Sequence, residues 1–509
     1  MKRQARICLI DDQWGLPDDP MISTLYSSLP YEFLQEASRE SDGTFSSHVA
    51  IERLKREMPD VTAVLLDIVF GPKMERLGIE ILERIRQHWP SLPVIVFTSV
   101  ESESNRELVV QCIEAGANEY VEKAPDAAHM ADILSVYTDP GLDYALYGNS
   151  GKIRHLRAQI ARVAFGGSVS VLVVGESGTG KELVARAIHR QGPRRTAPFL
   201  AKNCAHCDSQ LLDSELFGHE KGAFTGADEQ RIGLIQEANG GVLFLDEIAD
   251  MPAQLQGKLL RVLETRTFRR LGGDTDIESD FQLVCATNRE PRRLIEEGRL
   301  REDFYYRIST MTLNTPPLRS RPEDIPVYVD LFLKKFRARG GASYPGDRVP
   351  EAVLDRLQQY GWPGNVRELK NVVERSIILS RSDIIGVDCL PPEIARTEPD
   401  STGSLGLPSR ATPAVEGPLD EDPSTWARAR LLAELRLAVE ARRRIQKYKG
   451  NQWKAEFMRL MYPHCKAANA KGFADLIHRL TSGPWGEPRW SEDAELRTWV
   501  QALDDRSVP

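Results

Sequence analysis

The 509-residue chain is short of three things. It has 7 cysteines, all scattered singly except Cys204 and Cys207. That pattern excludes a disulfide framework and reads as a reduced, cytoplasmic protein. No apolar run reaches about 18 residues, so a membrane-spanning helix is not expected. The basic start, "MKRQARICLIDD", is cut by Asp11 and Asp12 too early for a signal peptide. A net positive charge is also lacking, since 74 acidic residues outnumber 66 basic ones. The net charge of −8 excludes a global nucleic-acid footprint, so any such footprint must be local. The "CAHC" stretch from Cys204 to Cys207 invites a metal reading, but no second pair stands at finger-like spacing. Structural zinc wants four ligands, and His206 alone does not complete the set.

What is present divides into several domains, since a chain of this length exceeds one ordinary core. Residues 1–137 alternate strand and helix. "ICLID", "AVLLDI" and "VIVFTS" are apolar runs ending in polar residues, as buried parallel strands do, and "GIEILERIRQHWP" has helical spacing. This is a doubly wound α/β pattern. A second α/β unit begins near Leu146 and turns helical from about residue 316 to 395. Residues 396–424 are rich in Pro, Ser, Thr and Gly and read as a flexible linker. Helical character resumes over 425–509.

Side chains at the carboxyl ends of parallel strands share a crevice. In the first unit Asp11 and Asp12 end the first strand, Asp67 the third and Thr98 the fourth, and Lys123 follows the fifth. Clustered carboxylates favour Mg2+, and Asp67 is the carboxylate placed to accept a phosphoryl group.

In the second unit "GESGTGKE" (Gly175, Glu176, Ser177, Gly178, Thr179, Gly180, Lys181, Glu182) lies between a strand and a helix, as a phosphate-binding loop must. Lys181 reaches the terminal phosphates of ATP. The usual Ser/Thr is replaced by Glu182. In "GGVLFLDEI", Asp246 ends a strand and can hold Mg2+, while Glu247 can orient or deprotonate the attacking water. A further strand ends at Asn288. Between these motifs stands "GHEKGAFTGADE", with an exposed-looking Phe224, a hydroxyl on Thr225 and glycines on both sides. It matches no common ligand motif.

Residues 1–137 resemble the receiver domain of two-component response regulators. The resemblance implies a phospho-acceptor role for Asp67, magnesium binding by Asp11 and Asp12, sensing by Thr98 and Lys123, and an aromatic switch at Tyr120. A sensor histidine kinase is the implied partner. Two departures stand out: the long insertion after Asp12, and Lys123-Ala124-Pro125 where Lys-Pro is usual. A pseudo-receiver that binds without being phosphorylated is therefore the second reading of this pocket.

Residues 146–395 resemble the bacterial enhancer-binding proteins, the NtrC-like activators of sigma-54 RNA polymerase. The resemblance rests on Gly222, Ala223, Phe224, Thr225, Gly226 and Ala227 (GAFTGA), with "GESGTGKE", "LFLDEI", "REDFYYRI", "PPLRSRPEDI" and "WPGNVRELKNVVERS" in the family's order. It implies an AAA+ ATPase over 138–395 with a lid at about 316–395. It also implies trans-acting arginine fingers at Arg301 and Arg307, a nucleotide sensor at Arg367, and an asparagine switch for the catalytic glutamate at Asn203. The family places a buried "NCA" at that asparagine, and Glu182 is normal there. The loop is then the sigma-54 contact, and the arginine fingers imply a homo-oligomeric ring, a hexamer when active.

Over Trp426–Leu480, clusters such as Arg442–Arg444 and Lys447 are opposed only by Glu434, Glu440, Glu456 and Asp475. This local positive excess is where DNA binding is expected. The order of long helix, Gly450-Asn451, helix, turn, helix resembles Fis. The expected fold class is multidomain α/β: a receiver-like doubly wound parallel sheet, an AAA+ α/β ATPase with a helical lid, and an all-α C-terminal region. Two alternatives compete with a sigma-54-dependent activator. One is an AAA+ remodeller of another target whose C-terminus is a protein-interaction module. The other is a receiver-controlled DNA-binding protein with a decayed ATPase, against which Lys181, Asp246 and Glu247 stand.

Overall fold

Two five-stranded parallel sheets carry the chemistry. The computed structural model describes residues 5–11, 29–36, 46–57, 61–68, 77–98, 103–122, 127–139, 142, 144–205, 208–339, 345–346 and 348–395. Among these, one compact unit comprises the residues up to Leu331 together with Gly364–Val366; the other comprises the rest from Phe332 onward. Asp12, Lys123, His206, Cys207 and everything expected of 396–509 lie outside the described residues.

The first sheet contains β1 (Arg6–Ile10), β2 (Glu32–Glu36), β3 (Val61–Leu66), β4 (Val94–Thr98) and β5 (Glu119–Glu122) in the order β2-β1-β3-β4-β5. Its central strands are mostly apolar because helices cover both faces. All of Val94–Thr98 is buried. The helices are α1 (Ser47–Glu57), α2 (Leu77–His88), α3 (Glu103–Ala115) and α4 (Ala127–Thr138). α2 buries Ile81, Leu82 and Ile85 along one stripe. Its Gly78 lies so close to the chain after β3 that a Cβ there would meet the Asp67 carbonyl at 2.8 Å.

The second sheet runs β14-β6-β13-β10-β7. Its strands are β6 (Val171–Val174), β7 (Phe199–Asn203), β10 (Val242–Asp246), β13 (Gln282–Thr287) and β14 (Met311–Asn314). α5 (Gly151–Phe165) precedes them, and between them stand α6 (Lys181–Gln191), α7 (Ser209–Phe217), α8 (Leu234–Glu237), α9 (Ala253–Thr265), α10 (Pro291–Glu296) and α11 (Glu302–Ile308). Two short ribbons are inserted: β8 (Gly218–His219) with β9 (Arg231–Ile232), and β11 (Thr267–Phe268) with β12 (Ile277–Glu278), both antiparallel. One core, with Leu243, Leu245, Leu283 and Cys285, lies on one face of the sheet; a second, with Val171, Val173, Phe244 and Val284, lies on the other. Strand residues alternate between the two, as period 2 demands.

Asp324, fully buried, fixes the entry to α5. It accepts from the Asn149 N–H at 2.6 Å, the Ser150 N–H at 2.8 Å and the Ser150 hydroxyl at 2.6 Å. The chain continues through α12 (Ile325–Ala338), α13 (Glu351–Gln359), α14 (Asn365–Leu379) and α15 (Pro392–Ala395). In the second unit Trp362 is fully buried and donates its indole N–H to the Leu357 carbonyl at 2.7 Å. No helix among the described residues is long and apolar enough to cross a membrane.

Candidate functional site

The carboxyl edge of the second sheet holds the nucleotide motifs together. β6 leads into the loop 175–180, and α6 begins at Lys181. Gly178 (φ 78°) and Gly180 (φ 100°) adopt the left-handed conformation that lets successive N–H groups turn toward one centre. Gly175 is demanded by space: a Cβ there would lie 1.9 Å from the Thr315 hydroxyl. Buried Lys181 donates to the Gly175 carbonyl at 3.0 Å and stands 3.9 Å from the Glu247 carboxylate.

β10 delivers Asp246 at its end and Glu247 just beyond. Glu247 sits at φ 51°, ψ 51°, a conformation uncommon for a residue with a Cβ and concentrated at functional positions. Its own N–H donates to Asp246 Oδ1 at 3.0 Å, and its carboxylate accepts the Asn288 N–H at 3.3 Å. Burial pushes the Glu247 carboxyl above the ordinary glutamate range, against the opposing pull of Lys181. Asn203 is the cross-strand neighbour of Asp246, and its side-chain oxygen accepts the Ala205 N–H at 2.7 Å. Cys204, next to it, is buried in the core.

The three arginines singled out in the sequence stand on exposed positions. Arg301 opens α11 and forks onto Asp303 at 3.0 and 2.7 Å. Arg307, in the last turn of α11, donates to the Leu263 carbonyl at 2.5 Å. Both project from one short helix and pair away from the loop 175–180. Arg367 lies in the first turn of α14.

The GAFTGA stretch is the tip of the β8–β9 ribbon. Gly222 (φ 81°) and Gly226 (φ 98°) turn the chain, with open space where a Cβ would stand. The Gly222 N–H donates to the Ala227 carbonyl at 2.8 Å and closes the loop. Thr225 is exposed, but Phe224 is only partly so. Its ring packs edge-on against His219 at 5.0 Å, so the exposed-looking aromatic of the sequence is half sheltered. The chain between β11 and β12 props this loop. Leu271 exchanges backbone hydrogen bonds with Glu220 and Gly218 (2.9 and 3.0 Å), and Arg270 pairs with Glu220 at 2.7 Å.

On the first sheet, Asp11, Asp67 and Thr98 end the adjacent strands β1, β3 and β4, all buried at 2 % exposure. Asp67 Oδ1 accepts the Ile68 N–H at 2.7 Å, which orients the carboxylate.

Comparison with known proteins agrees with this arrangement. Residues 146–314 match the sigma-54 interaction domain, 319–405 the AAA+ ATPase lid domain and 18–135 the response regulator receiver domain. The chain is 40% identical over 350 residues to the DNA-binding transcriptional regulator NtrC of Azospirillum brasilense, covering 66% of this chain and 71% of that protein. It is 40% identical over 412 residues to the regulatory protein AtoC of Escherichia coli K12, covering 76% and 84%. The chain belongs to the NtrC-like sigma-54-dependent response regulators. Among solved structures, NtrX from Brucella abortus in complex with ATP is 30% identical over 77% of this chain and 88% of that one, with a TM-score of 0.46. By its family and domain matches the chain is an AAA+ ATPase and sigma-54 activator that carries a receiver domain.

The receiver is seated on the ATPase through α3, β5 and α4. Ala158 and Ala161 of α5 belong to the receiver's apolar cluster with Val109 and Cys112. Buried Glu119 of β5 accepts from Arg190 at 2.7 and 3.0 Å, from the Tyr137 hydroxyl at 2.9 Å and from Gln191 at 3.2 Å. The Tyr120 hydroxyl donates to the Gln191 carbonyl at 3.0 Å, and its ring lies 5.1 Å from Phe165. Arg190 and Gln191 close α6, the helix that the phosphate loop opens.

Proposed function

We propose that this regulator converts ATP hydrolysis into remodelling of the sigma-54 RNA polymerase closed complex through the loop Gly222–Ala227, under control of its receiver. The observation that carries the reading is a nucleotide site with Lys181 and Glu247 3.9 Å apart in the same sheet domain that holds out an exposed Thr225 on its own ribbon. In this reading Lys181 leaves its carbonyl partners for the β- and γ-phosphates, and the N–H groups of 175–180 wrap them. Glu247, raised by burial, takes the proton of the attacking water. Asn203 stands beside this pair as a switch for the glutamate.

The oxygen donors at the end of β10 fit Mg2+, which takes carboxylate, phosphate and water oxygens. Asp246 would hold it, and Asp11, Asp12 and Asp67 would hold a second in the receiver. Bound there, Mg2+ neutralises phosphate charge. Arg301 and Arg307, exposed on one helix, are the groups a neighbouring copy would receive in a hexameric ring, where an arginine supplied in trans adds about 10³–10⁵ in rate. Arg367 reads the nucleotide from the lid. Asp67 is the phospho-acceptor for a sensor histidine kinase, with Thr98 and Lys123 sensing the group. The basic stretch Trp426–Leu480 tethers the ring to DNA, which raises its effective concentration at a promoter.

The test is opening of a sigma-54-dependent promoter by the full chain. Hydrolysable ATP should support it and a non-hydrolysable analogue should not. Lys181→Ala should lose nucleotide binding, while Glu247→Gln should bind and not turn over. Promoter opening by the analogue alone would overturn the coupling.

A further inference from the structure

A loop that wraps phosphate with its N–H groups must turn its carbonyls outward, and those carbonyls need donors of their own. For Gly175 and Glu176 the donors are local: Lys181 and the Thr179 hydroxyl, at 3.0 and 2.7 Å. For Ser177 and Gly178 they come from far along the chain. Asn365 donates its amide to the Ser177 carbonyl at 3.0 Å, and the Val366 N–H donates to the Gly178 carbonyl at 3.1 Å. The same amide reaches the Glu176 carboxylate at 3.1 Å, and the Asn365 oxygen accepts the Leu318 N–H at 2.8 Å. Arg319 completes the cluster with two bonds to Glu176 at 2.7 and 2.5 Å. These hydrogen bonds hold the Glu176 carboxyl below the usual carboxylate range, Arg319 contributing most.

Asn365 is fully buried and stands at φ 52°. The position asks for a residue that tolerates the left-handed region, carries two donors and one acceptor on one short side chain, and bears no charge beside Glu176. Asparagine alone meets all of these demands. The network also fixes which amide atom is oxygen, since only the oxygen can face the Leu318 N–H.

We propose that Asn365 is a positioning residue for ATP hydrolysis: it holds the outer carbonyls and Glu176 so that the inner N–H groups of 175–180 stay aimed at phosphate. Arg319 steadies the same carboxylate from the other side. The role belongs to nucleotide binding and not to the attack on the γ-phosphate, so its loss should appear in affinity and KM far more than in kcat.

The test uses the full chain and a fluorescent ADP or ATP analogue, with steady-state ATPase and thermal melting in parallel. Asn365→Gly keeps the backbone conformation at no steric cost and removes three hydrogen bonds. It should weaken binding of both nucleotides about tenfold or more and raise KM in step, with kcat at saturation changed less than about threefold. Ile377→Val, a buried lid control, should leave affinity unchanged for a comparable fall in melting temperature. Arg319→Gln should weaken binding about two- to threefold. Asn365→Asp should be worse than Asn365→Gly, because a second carboxylate faces Glu176. Adding Glu176→Gln to Asn365→Asp should recover part of the loss by returning a donor to the pair. Affinity within twofold of wild type in Asn365→Gly, an equal loss in Ile377→Val, or no recovery in the paired variant would overturn the proposal.

Discussion

Arg190→Met at the seam between receiver and ATPase should release one from the other. The Glu119–Arg190 pair is almost wholly buried, with side-chain exposures of 1% and 7%, and joins the two domains at 2.7 Å. Removing one partner of such a pair costs about 3–5 kcal/mol, because a buried charge loses its counter-charge. The Glu119 carboxylate keeps the Tyr137 hydroxyl and the Gln191 amide, so the lower end, about 3 kcal/mol, is expected. That shifts a docking equilibrium by about two orders of magnitude. Removing both charges in Glu119→Gln with Arg190→Met should cost less than the sum of the singles, leaving a coupling of about 2 kcal/mol in a double-mutant cycle. The assay is hydrogen exchange of the α3 and β5 amides in the full chain, with ATPase activity followed alongside. Protection should fall most in Arg190→Met and partly return in the double variant. A coupling under about 0.5 kcal/mol, the size of an exposed pair, would refute the argument that burial makes this pair matter.

Glu247 gives a pH dependence. Its raised value means the base is lost as pH falls through a point above the ordinary glutamate range, so the acid limb of kcat/KM, which reports the nucleotide-free protein, should lie there. The same shift favours the protonated form in the fold. Glu247 therefore costs stability at neutral pH, and Glu247→Gln should melt higher than wild type at pH 7.5, a difference that vanishes below the ordinary glutamate value. Gly272→Val should uncouple the two activities, since φ is 72° and a Cβ would come within 2.8 Å of the Ala223 Cβ. ATPase activity should persist while sigma-54-dependent transcription fails. Incubation with a small phosphoryl donor and Mg2+ should add one phosphoryl mass to wild type and none to Asp67→Asn. An equal adduct in both, or none in wild type, would favour a pseudo-receiver.

Much of the site was legible because its chemistry is compressed into short, ordered motifs. Strand-ending Asp67, Thr98 and Asp246 follow from apolar runs that stop at a polar residue, since both faces of a parallel strand are covered. The loop 175–180 follows from its glycines. Long-range partners were not legible. Glu119 at the end of a strand and Arg190 in the last turn of a helix look like solvated charges until β5 and α6 meet. Asn365 sits two residues from Arg367 in a motif read for its arginine, and its side chain serves a loop 188 positions away. Phe224 looked exposed because the glycines beside it offer no cover; its ring folds back onto His219 at the foot of the same loop.

The most direct measurement compares ATP turnover and open-complex formation at a sigma-54 promoter in wild type, Phe224→Ala and Thr225→Ala full-length protein. The proposed role of Gly222–Ala227 as the output contact predicts turnover within about threefold of wild type and no open complex in either variant. Open complex formed in proportion to turnover in both variants would contradict it.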